Sequence, residues 1–421
     1  MHLAEEERAM LAGTDGPAAQ KAMKIIVALA EIYEATELVP VGSAQIAGVS
    51  YKNLGDAGLG FLEEWAAQGA RARVPAFMNP AGMDLERWRE MGILPEFARK
   101  QQRAVTALVS MGVAPTCTCT PYLVGYVPQA GEHLAWSESS AVSYANSVLA
   151  ARSNREGGPS ALAAAITGRT ARYGLHIPEN RRATHVIEVR CPVHSEADFG
   201  ALGYLVGLQV GDGVPCFRFR GKVVLEESPQ QEQLMALGAA MAASGAVALY
   251  HIDGVTPEAQ RALISDGAVR PTRSAVPTTV VSDLSEGYAA LNSPLDPIDF
   301  VSLGCPHSTL ADIERAAALL DGKRVQATLW ITTSRHVRLL AEKRGLVKRI
   351  EAAGGKVFAD TCLVVAPIEQ MGFHAMATNS AKAAFYSPAH SGLQRRFGPT
   401  EQCIEAAIAG RWAGSSGDCG G

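Results

Sequence analysis

Short apolar runs alternate with helical segments along most of the chain, and this alternation restricts the fold more than any other feature. Strands are predicted at 39–49, 104–110, 184–189, 246–252, 278–282, 298–303, 325–332 and 356–359. Helices are predicted at 17–35, 85–99, 139–152, 160–169, 195–208, 257–266, 308–320 and 334–352. Strands that are separated by helices pair in parallel, with helices covering both faces of the sheet. The pattern therefore predicts an α/β/α protein with mainly parallel sheets.

The length of the chain predicts more than one core. Its 421 residues correspond to about two or three α/β subdomains. The segment 270–279 contains two prolines, Pro271 and Pro277, and places a junction between subdomains near residues 268–297. Residues 411–421 are rich in Gly and Ser and are predicted to form a flexible tail. Cys419 in that tail is a poor candidate for a buried site.

Charge and hydropathy exclude several classes of protein. The formal net charge is −4, and no clustered basic face of the kind that binds nucleic acid is recognisable. The N-terminal residues are acidic and polar, unlike a signal peptide. The most apolar stretch, residues 234–250, is shorter than the ~20 residues of a membrane span. We therefore predict a cytoplasmic protein that binds neither nucleic acid nor membranes.

Three of the eight cysteines follow predicted strands. Cys119 follows the run 104–110 after a short loop, Cys305 lies between a strand and a helix, and Cys362 comes directly after the run 356–359. Ligands of open α/β sheets bind outside the carboxyl ends of the strands. Three thiolates at such an edge would leave one iron of an iron–sulfur cluster with an open position. Without a Cys-x-x-Cys pair, the spacing alone also permits a structural zinc site or inert buried thiols.

Other short segments have the composition of small-anion sites. Gly48, Val49 and Ser50 form a Gly-containing loop after a predicted strand, where backbone N–H groups can bind a carboxylate or phosphate. Taken one at a time, the remaining segments are better explained by ordinary local structure: a turn, a helix cap and a surface lysine. These segments are Asn79-Pro80, Glu138-Ser139 and Lys382. His307, beside Cys305, is either a turn residue or a hydrogen-bond donor to the site.

Taken in order, these segments resemble the aconitase X family. The likeness is carried by GSAQIAGVSY (42–51), NP (79–80), CTPY (119–122), WSESSA (136–141), NREGG (154–158), GCPH (304–307), DTC (360–362) and NSAK (379–382). No single segment decides the matter, but the ordered set is specific. The resemblance implies that residues 1–410 form one catalytic region with an aconitase-like α/β/α fold of several subdomains.

The resemblance also implies a set of site residues and a partner. Cys119, Cys305 and Cys362 would hold an iron–sulfur cluster of the 2Fe-2S or 4Fe-4S type, with Cys119 preferred to Cys117 because Thr-Pro-Tyr follows it. The residues that would line the substrate site are Gly48, Val49, Ser50, Asn79, Pro80, Glu138, Ser139 and Lys382. Of these, Glu138, Ser139 and Lys382 are the catalytic candidates. A separate small swivelling subunit would complete the enzyme.

The activity implied by the family is that of a hydro-lyase acting on a small hydroxy acid. Members resembling the bacterial type dehydrate cis-3-hydroxy-L-proline to Δ1-pyrroline-2-carboxylate, and archaeal members dehydrate (R)-5-phosphomevalonate. Gln45 stands where the archaeal type is expected to have His, and the Ala- and Arg-rich composition resembles bacterial members. We therefore predict cis-3-hydroxy-L-proline dehydratase activity, with phosphomevalonate dehydration as the alternative. An alternative of another class is a non-enzymatic iron–sulfur sensor that binds RNA.

Overall fold

Parallel sheets and the helices that cover them make up most of the computed structural model, which describes residues 1–220, 230–263 and 276–413. The strands are β1 Leu38–Pro40, β2 Ser43–Ile46, β3 Ala76–Met78, β4 Leu134–Trp136, β5 Arg169–Ala171, β6 His185–Val189, β7 Pro215–Phe219, β8 His251–Ile252, β9 Thr278–Val281, β10 Phe300–Leu303, β11 Thr328–Thr333, β12 Lys356–Ala359, β13 Ala375–Thr378 and β14 Gln394–Phe397. The helices are α1 Glu5–Ala12, α2 Pro17–Ile32, α3 Tyr51–Ala67, α4 Pro95–Ser110, α5 Ser139–Ser147, α6 Gly158–Thr167, α7 Glu196–Val210, α8 Gln231–Ser244, α9 Ala259–Ala262, α10 Ser285–Ala290, α11 Leu310–Leu319, α12 Arg335–Lys343, α13 Leu346–Ala352, α14 Ala381–Ser391 and α15 Thr400–Ala409.

The described strands form three parallel sheets and one short antiparallel pair. The sheets have the orders β3-β2-β4, β8-β7-β6-β9 and β12-β11-β10-β13-β14, and β1 pairs with β5. Every pair within the three larger sheets is parallel. The prediction of an α/β protein with mainly parallel sheets is therefore confirmed.

Both faces of the five-stranded sheet are buried, and the two faces differ in composition. Alternate residues of a strand point to opposite faces. Phe300, Trp330 and Phe358 pack on one face against Met83 and Phe97 of the first sheet's connections. Neighbours on the same strands point the other way and join an aliphatic core with α11, α13 and α15, namely Val301, Leu329, Ile331 and Val357. The aromatic face therefore holds the N-terminal region against this sheet.

Two elements that the sequence predicted are wrong. Residues 104–110 are not a strand but the end of α4, which buries Ala104, Ala107 and Leu108 at helical spacing. A short apolar run does not by itself distinguish a buried strand from a buried helix. Residues 85–94 are turns rather than helix, because the Asp84 carboxylate accepts the N–H groups of residues 86 and 87, at 3.0 Å each.

An extended segment after α4 brings Cys119 to the sheet edge instead. The N–H of Ala114 donates to Ala76 O at 2.8 Å, and the N–H of Thr118 donates to Met78 O at 3.0 Å. The segment thus runs alongside β3 and ends at its carboxyl end. Cys119 occupies the predicted position, although a different piece of chain places it there.

The region that was predicted to join subdomains is only partly described. Of residues 268–297, the part up to 275 lies outside the described residues, and β9 belongs to the four-stranded sheet. Trp412 is buried and its N–H donates to Asp296 O at 2.7 Å. Residues 414–421 of the predicted tail, with Cys419, lie outside the described residues. Within the described part, no helix combines the length and hydropathy required to cross a bilayer.

We expect Gly203→Ala to destabilise the protein, because α7 and α8 approach each other closely at this residue. A Cβ atom on Gly203 would lie 2.6 Å from Leu237 O, so the helices must shift, at a cost of about 1–3 kcal/mol. The matched control is Gly60→Ala in α3, where no heavy atom lies within 4 Å of the added carbon and helix propensity favours Ala. Thermal denaturation followed by circular dichroism measures both, and equal melting temperatures would contradict the close approach.

Candidate active site between two parallel sheets

The carboxyl ends of the three-stranded and five-stranded sheets meet, and all the predicted site residues lie where they meet. Two hydrogen bonds join the two edges: the N–H of Ala81 donates to Asp360 O at 2.7 Å, and Ser50 Oγ donates to Val365 O at 2.7 Å. The segments that follow β2, β3 and β4, including the first residue of α5, carry Gly48, Val49, Ser50, Asn79, Pro80, Glu138 and Ser139. The loops after β10 and β12 carry Cys305 and Cys362, and the first turn of α14, after β13, carries Lys382.

A buried ion pair between Lys382 and Glu138 links the two sheets. Their side chains are 9% and 13% exposed. Lys382 Nζ donates to Glu138 Oε1 and also to Ser139 Oγ at 3.2 Å. Asn79 Nδ2 donates to the other carboxylate oxygen, Oε2, at 2.9 Å. Each oxygen of Glu138 therefore has a partner from a different loop.

Each partner keeps the other charged. Burial raises the pKa of Glu138, but the charge and hydrogen bonds of Lys382, together with Asn79 and Ser140, outweigh burial and lower the pKa to about 2. Burial lowers the pKa of Lys382, but the charge of Glu138 opposes this, and the net pKa lies above its usual value. Both groups are ionised at neutral pH, so Lys382 is a fixed cation at the centre of the site.

The three predicted cysteine ligands lie within electrostatic reach of this ion pair. Burial raises the pKa of each thiol, and the charges of Glu138 and Lys382 act on all three. Cys362 also acts on Cys119, and Cys305 acts on Cys362. Because such interactions weaken with distance, these mutual effects indicate that the thiols converge on one region.

His307 ties the three cysteine loops together. Its backbone N–H donates to Cys119 Sγ at 3.2 Å, Nδ1 lies 3.0 Å from Thr118 Oγ1, and Nε2 lies 2.9 Å from Thr361 O. A carbonyl oxygen only accepts, so Nε2 carries the proton and Nδ1 accepts from the threonine. Burial lowers the pKa of His307 to about 4, which keeps the ring neutral. His307 therefore positions the loops of Cys119, Cys305 and Cys362.

The described residues do not assemble a site for a single metal ion: no three His, Cys, Asp or Glu side chains are placed to bind one. Structural zinc needs four ligands that meet at one atom. A four-iron cluster is a larger group, in which three cysteines can each bind a different iron. Cys119, Cys305 and Cys362 are all free thiols, as such ligation requires.

Cys117 and Cys119 have different surroundings, although one residue separates them. Cys117 is fully buried, lies beside Ala81 and Asp360, and has a φ of +43°. Cys119 instead receives the N–H of His307 and lies near Glu138. Of the two thiols, Cys119 is therefore the one that faces the ion pair.

The loop 48–50 presents main-chain N–H groups rather than side chains. Ser50 Oγ donates to Val365 O and accepts the N–H of Lys52 at 3.2 Å, which caps α3. The amide N–H groups of Gly48, Val49 and Ser50 make no hydrogen bond to any part of the chain that is described. These three amides are donors that an anionic ligand can use.

Asn79 also has a hydrogen-bond acceptor without a partner among the described residues. Its Nδ2 is bonded to Glu138, but Oδ1 is buried and has no hydrogen-bond partner among the described residues. A buried unsatisfied acceptor is costly, typically by about 1–3 kcal/mol. Such an atom at a site indicates a ligand hydroxyl or amide that donates to it. Pro80, the next residue, is buried and forms the wall beside Asn79.

Two buried glutamines that the sequence argument did not assign to the site support it. Gln45 Nε2 donates to Thr118 O at 3.2 Å, and its Oε1 accepts the N–H of Glu138 at 3.3 Å. Gln101 Nε2 donates to Val49 O at 2.9 Å, and its Oε1 accepts the N–H groups of Tyr51 and Gly82. The sequence signal that could have identified Gln101 is its place among the apolar positions of an amphipathic helix. Gln45 is occupied by protein groups, so its identity is weak evidence about the substrate.

Comparison with sequence families decides the relationship. Models described as the aconitase X first, second and third domains match residues 1–179, 183–282 and 298–409. The chain belongs to the aconitase X family. The resemblance that was drawn from short segments is therefore confirmed, and so is the hydro-lyase class of the enzyme, since the relatives are named dehydratases.

Individual relatives agree with this assignment. The chain is 51% identical to the phosphomevalonate dehydratase large subunit of Methanothermobacter thermautotrophicus, over 93% of this chain and 95% of that protein. It is 36% identical to the cis-3-hydroxy-L-proline dehydratase of Pseudomonas aeruginosa, over 96% of this chain and 70% of that protein. The crystal structure of Thermococcus kodakaraensis aconitase X in its holo form matches with a TM-score of 0.87 and 44% identity, covering 97% of this chain and 100% of the other.

We expect Lys382→Met to destabilise the protein by about 3–5 kcal/mol, because it leaves the buried Glu138 carboxylate without its partner. The double variant Lys382→Met/Glu138→Gln should recover part of this loss. The control is Lys21→Met, whose pair with Glu64 is 44% and 56% exposed and contributes less than about 1 kcal/mol. Thermal melting of the four proteins measures these effects. A Lys382→Met protein as stable as the control would show that the pair is not buried as described.

Proposed function

We propose that this chain is the large subunit of an (R)-5-phosphomevalonate dehydratase. The observation that carries the proposal is the 51% identity to a large subunit of that name, which this chain matches over 95% of its length. Identity to the hydroxyproline enzyme is 36%, over 70% of that protein. The comparisons therefore favour the alternative activity of the sequence prediction over its main one, cis-3-hydroxy-L-proline dehydration.

The structure removes one argument for hydroxyproline. Gln45 was the residue that favoured the bacterial activity, but its amide is bonded to Thr118 O and to the N–H of Glu138. A side chain that is occupied in this way does not select a substrate by direct contact. Substrate choice rests on the groups with spare hydrogen-bonding capacity, which are the amides of the loop 48–50 and Asn79 Oδ1.

The name of the relative also supports a partner. A large subunit acts with a small one, and the family resemblance implies a swivelling module that covers the site. Within the proposal, this chain supplies the cluster ligands and the charged pair, and a separate small subunit completes the enclosure. Excluding water strengthens each electrostatic contact inside the site.

Cys119, Cys305 and Cys362 are the residues that would hold an iron–sulfur cluster. When bound, the cluster would supply a Lewis acid that makes a hydroxyl group a better leaving group. Support comes from three free thiols within electrostatic reach of one ion pair and from the ties that His307 makes between their loops. The cluster would be of the 2Fe-2S or 4Fe-4S type.

The dehydration removes a proton α to the carboxylate and expels the β-hydroxyl, so that a carbon–carbon double bond forms and water is released. Negative charge builds up on the carboxylate as the proton leaves. Lys382 and the amide N–H groups of Gly48, Val49 and Ser50 are positioned to hold anionic groups of the substrate. Asn79 Oδ1 is available to accept a hydrogen bond from the substrate hydroxyl.

Ser139 is the base candidate in this chain. Its Oγ lies 3.2 Å from the Lys382 ammonium and 3.4 Å from Glu138 Oε1. The nearby cation favours the deprotonated form of the serine oxygen, which then takes the α-proton of the substrate and becomes a hydroxyl again. Glu138 itself is a weak base because Lys382 and Asn79 lower its pKa to about 2. We therefore assign Glu138 to orienting Ser139 and Lys382.

An assay of both candidate substrates tests the proposed activity. The anaerobically purified chain, combined with its small subunit, should dehydrate (R)-5-phosphomevalonate with a kcat/KM at least about 100-fold higher than for cis-3-hydroxy-L-proline. A difference of that size corresponds to about 2.7 kcal/mol in transition-state binding. The chain without the small subunit is the control and should be inactive. The opposite preference between the two substrates would refute the assignment.

Single cysteine variants test the ligand assignment. Cys119→Ala, Cys305→Ala and Cys362→Ala should each lose visible iron absorption and lower activity by more than about 100-fold, while the protein stays folded. Cys117→Ala is the matched control, since it lies one residue from Cys119 but beside Ala81 and Asp360, and it should retain iron. Iron and sulfide analysis with activity measures all four variants. Full turnover in Cys305→Ala or Cys362→Ala would eliminate the cluster assignment.

A further inference from the structure

A second polar cavity lies at the boundary between the N-terminal region and the four-stranded sheet's region. Its volume is about 190 Å³, and it is lined by Arg152, by residues 178–179 and 181–182, and by Glu258 and residues 261–262 at and near α9. Pockets for drug-sized ligands usually measure about 300–1,000 Å³, so this cavity suits a smaller molecule. No residue of the candidate active site lines it.

Positive charge predominates in the cavity. Four arginines and two glutamates line it: Arg152, Arg181, Arg182, Arg261, Glu179 and Glu258. Arg181 is buried and is neutralised by Glu258, with Nε donating to Oε2 at 2.8 Å. Arg152 and Arg261 make no ion pair with any residue that the structure describes. Within the described part of the chain, the cavity therefore holds two guanidinium groups, those of Arg152 and Arg261, that no carboxylate neutralises.

One of these guanidinium groups is incompletely satisfied. Arg152 Nε is buried and has no hydrogen-bond partner among the described residues. A buried donor that carries charge is costly to leave unpaired. Because Arg152 lines the cavity, an acceptor that binds there lies next to this incompletely satisfied guanidinium group.

Two histidines near the cavity's arginines, His133 and His176, lie in the same positive electrostatic potential. His133 Nδ1 and His176 Nδ1 lie 2.9 Å apart, so one donates to the other and at least one ring is neutral. Burial, together with the charges of His133, Arg181 and Arg152, lowers the pKa of His176 to about 3. An anion in the cavity would offset this potential.

Helix α5 separates the cavity from the active site. Ser139, at its first turn, contacts Lys382, whereas Asn146, in its last turn, accepts Arg181 Nη2 through its backbone oxygen at 3.0 Å. A helix of nine residues is about 13 Å long. A ligand in the cavity therefore does not overlap with a substrate beside Lys382.

We infer that this cavity binds a small phosphate-bearing anion, such as a diphosphate or a phosphate monoester. Guanidinium groups match phosphate oxygens through paired, charge-assisted hydrogen bonds. Arg152 and Arg261 are the two groups that bind it, while the pair of Arg181 and Glu258 forms the wall of the site. The inference is independent of the substrate of the dehydratase.

Calorimetric titration of the full-length chain with diphosphate, inorganic phosphate and a phosphate monoester tests the site, at constant ionic strength because salt screens such contacts. Arg152→Gln and Arg261→Gln should each weaken the tightest of the three by roughly tenfold or more. The matched control is Arg172→Gln, near the same histidines but paired with Glu37, and it should bind as the unmodified chain does. The order of the three affinities identifies the source of the phosphate group.

Two results would overturn the inference. One is that none of the three anions binds at millimolar concentration to the unmodified chain. The other is binding that disappears in Lys382→Met but persists in Arg152→Gln, which would place the anion in the active site. Arg261 is exposed, so its variant should keep the melting temperature of the unmodified chain and remains informative if Arg152→Gln fails to fold. Failure here would leave the dehydratase assay unaffected.

Discussion

The active site is organised around one buried ion pair, Lys382 with Glu138, which comes from two different sheets. Moving either charge out of water is expensive, and only a well-matched partner with further hydrogen bonds repays the cost. Asn79 and Ser139 supply those bonds from two more loops. The pair therefore fixes the relative position of the sheet edges, and the three thiols near it depend on that position. In the function proposed for this chain, the same ammonium group is also the cation that an acidic substrate meets.

Uncharged buried side chains position the other loops of the site. His307 holds the loops of Cys119 and Cys362 through Thr118 and Thr361, and Gln101 ties the loops 48–51 and 79–82 together. Buried amides and imidazoles specify a single geometry when all their hydrogen bonds are made. Among the described residues, the N–H groups of the loop 48–50 and one oxygen of Asn79 have no hydrogen-bond partner. A ligand can therefore form hydrogen bonds with them. A rigid site with a few free hydrogen-bond donors and acceptors suits an elimination reaction, because the charge that develops is stabilised without rearrangement of the protein.

Relationship and activity are supported by different kinds of observation. Family membership rests on matches that cover most of the chain, and the hydro-lyase class follows from the relatives. Substrate choice depends on a few contacts, and the side chain that seemed informative, Gln45, turned out to support the loops. The arginine-lined cavity at the far end of α5 is a separate feature of the same fold. Two of its arginines, Arg152 and Arg261, have no ion-pair partner among the described residues, and they are the basis for the anion site that we infer there.

The sequence by itself determined the class of fold and the candidate residues. Alternating apolar runs specify parallel sheets through local periodicity. The strands before Cys305 and Cys362 made these residues candidates, and the resemblance to the aconitase X family singled out Lys382. Only the tertiary structure decided how these loops meet. Lys382 and Glu138 are 244 positions apart, Cys119 arrives along an extended segment beside β3 rather than after a strand at 104–110, and Gln45 faces protein rather than substrate. Contacts between residues so distant in the chain produce no periodic pattern in the sequence, because they are set by the packing of whole sheets and helices.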